Sequence, residues 1–347
     1  MKYSNVYIDA IGYELAPVVV TTAELEERVR PLYEALHIPV GQLETITGIY
    51  ERRWWEPDYP LSKGATLAAD KALSESSVRP NDVDVLIYAG VCRENFEPAT
   101  ACRVAAGLGV NSTAALYDLS NACLGVLNGI INVANMIELG QIRAGLVVSC
   151  ETAREINEAM IDQMLEEQSM DIFKTALATL TGGSGAVAVL LTDRQMSGLD
   201  RHKLVGGVTR TEPQHHALCR WGMEPITDSS YQQTMMTESV DVLKYGVELG
   251  HKTWKTFLAE LDWSPADVDR VICHQVGSSH QAEILKNLRI PAEKDFTTYE
   301  YLGNIGTVSL PLTAALAEER EEIQAGQKVA FLGIGSGLNC LMLGLEW

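Results

Sequence analysis

The sequence predicts an α/β protein of two similar halves, each a mostly parallel sheet covered by helices. Two internal echoes and one alternation carry that reading. P-N-D-V-D-V-L-I, from Pro80 to Ile87, returns as P-A-D-V-D-R-V-I from Pro265 to Ile272, an offset of 185 residues. G-Q-I-R-A-G-L-V-V, from Gly140, returns as G-Q-K-V-A-F-L-G-I from Gly326, an offset of 186. Two echoes at nearly one offset point to a duplication. Around them, helical patterns alternate with short apolar runs, as in a sheet whose strands are joined by helices.

Each element follows from local pattern. A helix over 65–76 leads into the first copy of the Pro-Asp-Val motif and a helix over 247–261 into the second. The apolar run after each motif reads as a buried strand. Gly140 and Gly326 read as helix C-caps before strands. The halves are expected to span residues 1–195 and 196–347, related by a pseudo-twofold axis. A ligand site is expected where strand ends and helix starts of the two halves meet. Residues 151–179 fall outside the repeat. Ile156, Met160 and Met164 sit there at helical spacing, and the segment reads as an inserted surface helix rather than a lid or pocket wall. Residues 214–236 are polar and irregular and read as a long loop.

Composition narrows the function. The chain has 347 residues, 46% hydrophobic and 21% charged, with a formal net charge of −19. Such an acidic chain is a poor partner for a phosphate backbone, so nucleic acid is excluded. No long uncharged apolar run suggests a membrane span, and the first residues read as a strand, not a secretory signal. A cytoplasmic protein is expected. Seven cysteines at irregular spacing, with no C-x-x-C pair, fit neither a disulfide framework nor a zinc site. His215 and His216 are adjacent but lack matched ligands. No metal and no cofactor is expected.

Three residues stand out for chemistry. In D-L-S-N-A-C-L-G-V-L-N-G, from Asp118, N-cap residue types precede apolar residues at helical spacing: Leu124, Leu127, Ile130, Ala134 and Ile137. Cys123 is therefore expected in the first turn of a helix, where the dipole and unpaired N–H groups stabilise a thiolate. A buried structural cysteine fits the same pattern. Asn304, in Y-L-G-N-I-G-T-V-S, lies 181 residues on, close to the repeat offset, so the duplication would set it opposite Cys123. Its amide can donate to an oxyanion or merely cap a turn. His274, in V-I-C-H-Q-V-G, ends the repeated strand and would face the same crevice, where a neutral imidazole could donate to a thioester oxygen.

These motifs resemble the thiolase superfamily, and within it the ketoacyl synthase III-like condensing enzymes, over nearly the whole chain. T-G-I-Y-E-R-R (Thr47 to Arg53) is similar to the family's early T-G-I-x-E-R segment. A-C in D-L-S-N-A-C-L-G resembles its nucleophile motif, T-G-G-S-G-A-V-A-V-L-L (Thr181 to Leu191) its glycine-rich strand lead-in, and H-Q-V-G its H-Q-A-N. G-N-I-G-T-V-S and the glycine loop Gly333 to Asn339 complete the order. The resemblance implies a thiolase fold in α-β-α-β-α layers, Cys123 as acyl acceptor, His274 and Asn304 at the thioester oxygen of a second substrate, and a homodimer with acyl-CoA tunnels.

Departures choose within the family. Gly277 and Ile46 stand where fatty-acid-initiating members carry an Asn and an Arg for CoA. In V-C-R-E-N-F-E-P-A-T, Glu97 stands where they place an aromatic residue. Glu-Pro with H-Q-V and G-N-I-G resembles the members that join two fatty acyl-CoAs, in which this Glu crosses the dimer interface and serves as base. Malonyl substrates form a carbanion by losing CO₂, whereas simple acyl-CoAs must lose an α-proton, so a pocket carboxylate is useful. The expected reaction is a non-decarboxylative Claisen condensation to a 2-alkyl-3-keto acid, whose product other pathway enzymes could take up. Alternatives are a decarboxylating, malonyl-dependent synthase, an HMG-CoA synthase-like enzyme and a non-catalytic acyl-binding scaffold.

Overall fold

A computed structural model describes residues 1–197, 201–227 and 230–347. Its centre is a sheet of nine strands. In spatial order they are Arg270–Cys273, Lys328–Gly335, Asn339–Glu346, His202–Thr211, Val6–Leu15, Gly185–Asp193, Ala144–Glu151, Val85–Ala89 and Ala115–Leu119. The run divides at the fourth and fifth strands, where only Tyr7↔Lys203 and Ile8↔His202 pair. On either side of this seam the chain order mirrors itself. The two Pro-Asp-Val motifs lead into Val85–Ala89 and Arg270–Cys273, and the two Gly-Gln motifs into Ala144–Glu151 and Lys328–Gly335.

Both faces of these strands are buried, so their side chains sort by a period of two. Val85, Ile87, Val147, Val187, Val189, Val329, Phe331, Leu341 and Leu343 face one shared core. That core contains the helix Gly125–Glu138 from the first half and Ser309–Glu319 from the second. The alternate residues Leu86, Tyr88, Leu146 and Leu190 pack under helices Leu61–Ser74 and Thr100–Leu108. Ala330, Leu332 and Met342 pack under Ser239–Leu261 and Ser278–Leu288. The layers run helix, sheet, helix, sheet, helix, and the middle helices are common to both halves.

Three expectations are corrected. The sheet is mixed, not mostly parallel: only the outer pairings are parallel, and the five central ones are antiparallel. The cause is that Lys328–Gly335 returns through a short turn as Asn339–Glu346, and Ala144–Glu151 returns through the insertion as Gly185–Asp193. Residues 214–236 are largely a hairpin, Cys219–Thr227 with Ser230–Thr237, apart from the main sheet. Their polar composition hid strands that are wetted on one side. Gly326, with φ +85°, is a turn residue ahead of its strand rather than a cap, because the preceding helix ends at Glu319. Gly140 (φ +67°) does follow a helix end directly. No helix among the described residues is long and apolar enough to cross a membrane.

Candidate active site

A cavity of about 600 Å³ opens between the halves, and Cys123, His274 and Asn304 all line it. Cys123 stands just ahead of the helix Gly125–Glu138, whose N-cap is Leu124, rather than in its first turn. The chain reaches it through Ala122, whose φ of +46° lies in the left-handed region. A non-glycine residue there costs of the order of 1 kcal/mol, and alanine is among the smallest that can occupy it. The turn is held by Leu124 N–H donating to the Asn121 carbonyl at 2.9 Å.

The second half completes this helix start. The helix has no side-chain cap of its own; instead the Thr307 hydroxyl accepts from the Val126 N–H at 2.7 Å. Asn339 Nδ2 donates to Asn121 Oδ1 at 3.2 Å, and Asn121 Nδ2 to Asn128 Oδ1 at 2.7 Å. The glycine loop comes so close that a Cβ on Gly335 would lie 3.4 Å from the Cys123 nitrogen.

Burial pushes the Cys123 thiol up to about 12, with Cys219 and Glu151 adding to the rise. Desolvation thus works against the helix start and favours the thiol, where the sequence pointed to either a stabilised thiolate or a structural cysteine. His274 is 6% exposed, its backbone N–H donates to the Leu332 carbonyl, and its ring Nδ1 has no partner among the described residues. Burial, with His280 beside it, drives its pKa down to about 3, so the imidazole is neutral. Asn304 Oδ1 accepts from the Gly306 N–H at 3.0 Å, which fixes the amide and leaves its NH₂ as the donating end.

Asn304 is also gripped by its backbone. Its N–H donates to the Thr181 carbonyl, and its own carbonyl accepts from Gly183, each at 2.9 Å. A Cβ on Gly183 would collide with the Leu302 carbonyl oxygen. Gly183→Ala is therefore expected to push the Asn304 loop away, lowering stability by about 1–3 kcal/mol and slowing turnover as well. A melting curve unchanged from the parent would contradict this close approach.

Glu97 is not in this cavity. It is exposed, on the segment between Val85–Ala89 and Thr100–Leu108, beside a fully exposed Phe96. Other residues in the cavity wall were not singled out from sequence. Glu151 is a buried carboxylate closing the strand Ala144–Glu151, and a charge at the end of a mainly apolar run was a signal that could have found it. His280 lies on the helix after His274, and no local motif marks it. The insertion is corrected here: Arg154–Glu167 and Met170–Ala176 are helices whose Ile156, Met160 and Met164 are buried, and Ile156 and Leu177 line the cavity with Trp221 and Met235 of the hairpin. The segment is a pocket wall, not a plain surface helix.

Burial also depresses His280, to about 4. Below pH 6.5 the unfolded chain takes up protons that folded His274 and His280 refuse. Stability is then greatest above pH 6.5 and falls with acid, by up to about 1.4 kcal/mol per pH unit for each histidine. His274→Asn should lose less stability than the parent between pH 6.5 and 4. Equal acid slopes in parallel thermal melts would contradict the depressed pKa.

Comparison with known proteins follows the same lines. Residues 58–207 match the family described as thiolase, N-terminal domain, and residues 258–347 the 3-oxoacyl-[acyl-carrier-protein] synthase III C-terminal family. An acyl-CoA:acyl-CoA alkyltransferase of Shewanella oneidensis is 54% identical over the full length of both chains. One of Xanthomonas campestris is 34% identical, again over both full lengths. Among solved structures, a cysteine-to-alanine variant of Xanthomonas campestris OleA superposes with a TM-score of 0.93 at 34% identity, covering 100% of this chain and 98% of that one. A cysteine-to-serine variant of the same enzyme, solved with bound lauric acid and lauroyl-CoA, also has a TM-score of 0.93 at 34% identity, covering 99% of this chain and 100% of that one.

Proposed function

Since this chain belongs to the acyl-CoA:acyl-CoA alkyltransferase family of thiolase-fold condensing enzymes, we propose that it joins two fatty acyl-CoAs by a non-decarboxylative Claisen condensation at Cys123. The observation that carries the assignment of residues is the single cavity lined by Cys123, His274 and Asn304, with apolar walls from Ile156, Trp221 and Met235. Such walls suit alkyl chains, and the polar groups converge at one point.

The Cys123 sulfur attacks the first thioester, its C–S bond to CoA breaks, and CoA leaves as the thiol, carrying the proton that Cys123 gives up. The high pKa of Cys123 makes a free thiolate costly, so attack and proton transfer must be coupled, with neutral His274 within the same cavity as the relay. A second acyl-CoA then loses an α-proton. The enolate oxygen accepts hydrogen bonds from His274 and the Asn304 amide, which lie ready in a site of low dielectric. Its carbon attacks the acyl-Cys123 carbonyl, forming the C–C bond and releasing the Cys123 sulfur. Hydrolysis of the remaining thioester yields a 2-alkyl-3-keto acid and CoA.

The base is the partner subunit's Glu97. The exposure of Glu97 and Phe96 on this chain suits a loop that reaches into a second copy, which makes the working enzyme a homodimer. Structures of Xanthomonas campestris OleA include variants altered at a cysteine, a glutamate and a histidine, the same residue types as Cys123, Glu97 and His274. A free Cys123 suits a reducing cytoplasm, and a 3-keto acid, prone to lose CO₂, suits transfer to a downstream enzyme of olefin biosynthesis.

Mass spectrometry after incubation with myristoyl-CoA alone tests the proposal, on intact protein and on extracted products. An adduct on Cys123 together with a condensed keto acid, or its ketone, is expected. An adduct without product would replace the proposal with a malonyl-dependent synthase, and no adduct would undercut catalysis at Cys123.

A further inference from the structure

The segment that carries Glu97 is tied down everywhere but at its tip. At its root, Glu151 Oε1 accepts from the Val91 N–H at 2.9 Å and Oε2 from the Cys92 N–H at 3.1 Å. The Tyr88 hydroxyl donates to the Cys92 carbonyl at 2.9 Å. Midway, Glu94 accepts from the N–H and hydroxyl of Ser62 and pairs with Arg103 at 2.7 Å. At the far end, Asp118 accepts from the N–H groups of Thr100 and Ala101. Between these anchors, residues 95–98 are exposed.

Glu151 is the most buried of the three carboxylate anchors. It is 4% exposed, and, unlike Glu94 with Arg103, no cation pairs with it among the described residues. Burial raises its pKa, and only the two loop N–H groups and Cys92 work against that. An unpaired buried carboxylate is costly. Gly90 makes room for it, since a Cβ there would stand 3.0 Å from Oε1. Glu151 also lines the Cys123 cavity. One carboxylate therefore belongs at once to the wall of a protomer's own site and to the root of the loop that leaves it.

We propose that Glu151 is a positioning residue whose carboxylate aims the Glu97 loop, so that this aim takes effect in the partner's active site. This rests on the reading that Glu97 acts across the dimer. Both carboxylate oxygens are used, one for each N–H. Glu151→Gln keeps the shape but turns an NH₂ toward one of those N–H groups, so one bond is lost and two donors face each other. A shift at residue 91 is carried to residue 97, and misplacing a catalytic group by about 1 Å costs on the order of 100-fold.

Hybrid dimers, isolated with two affinity tags, test this. One subunit carries Cys123→Ala and the other Glu97→Ala, leaving a single complete site with Cys123 from the second and Glu97 from the first. Glu151→Gln is then added to either subunit. On the Glu97-bearing subunit it is expected to lower condensation about 10- to 100-fold, while the myristoyl adduct on Cys123 forms as before. On the Cys123-bearing subunit, where Glu151 lines the cavity, any loss should be at least about fivefold smaller than that and should appear equally in adduct formation, which the loop effect leaves unmoved. A loss confined to the Cys123-bearing subunit, an equal loss on both or no loss on either would overturn the proposal. A control hybrid that does not condense at all would instead remove the reading of Glu97 on which it stands.

Discussion

Cys123→Ala is expected to leave no acyl group on the protein and no condensed product, a loss of at least about 10³-fold in turnover. No other described thiol stands where it could substitute. Cys219 shares the cavity, but its sulfur is engaged with the Thr237 hydroxyl at 3.4 Å. Cys92, Cys150, Cys273 and Cys340 are buried and none of them lines the cavity, nor does Cys102. The substitution removes one sulfur from a cavity walled mainly by other residues, so acyl-CoA binding should survive, measurable by calorimetry. Turnover retained in this variant would refute the nucleophile. Lost binding together with lost turnover would point to a collapsed cavity instead.

Glu97→Ala should separate the two half-reactions. Cys123 should still acquire a myristoyl group, because the first transfer uses groups within one chain. Condensation should fall by about 10²- to 10⁴-fold, the usual worth of a general base. Since Glu97 is exposed in the single chain, its removal should barely alter monomer stability, typically within about 0.5 kcal/mol. Equal losses of acylation and condensation would make Glu97 a structural contact of the dimer. Normal condensation would place the base elsewhere.

What could be read from sequence followed the strength of local pattern. The two echoes located Val85–Ala89 and Arg270–Cys273, because buried strands between helices write continuous apolar runs. They also led to Cys123, His274 and Asn304 as neighbours, since a duplication turns distance along the chain into proximity in space. Strand direction was not legible: whether a strand returns parallel or antiparallel depends on the connection, and a turn as short as 336–338 leaves no periodic trace. The hairpin Cys219–Thr227 with Ser230–Thr237 was missed because one face meets water and the other meets the insertion helices. The ionisation of Cys123 is legible only in part, for a different reason. Sequence shows a helix start, but only the folded cavity shows how little water reaches the sulfur. His280 escaped because it becomes notable only through neighbours distant in the chain, whereas Glu151 left one local trace, a charge closing a mainly apolar strand.

The hydroxyl of Thr307 on the Val126 N–H has a consequence for how the protein comes into being. Helix starts are ordinarily closed by residues just ahead of them in the chain, so a helix can form as soon as it is made. Here the closing group is synthesised 181 residues after the N–H it receives. The inner faces of the early strands likewise wait for the later half to cover them. A half-synthesised chain thus holds Cys123 on a fraying helix end beside bare apolar surface. The surroundings of Cys123 are thus complete only once the later half is present, and severing the two halves should yield fragments that aggregate until they meet.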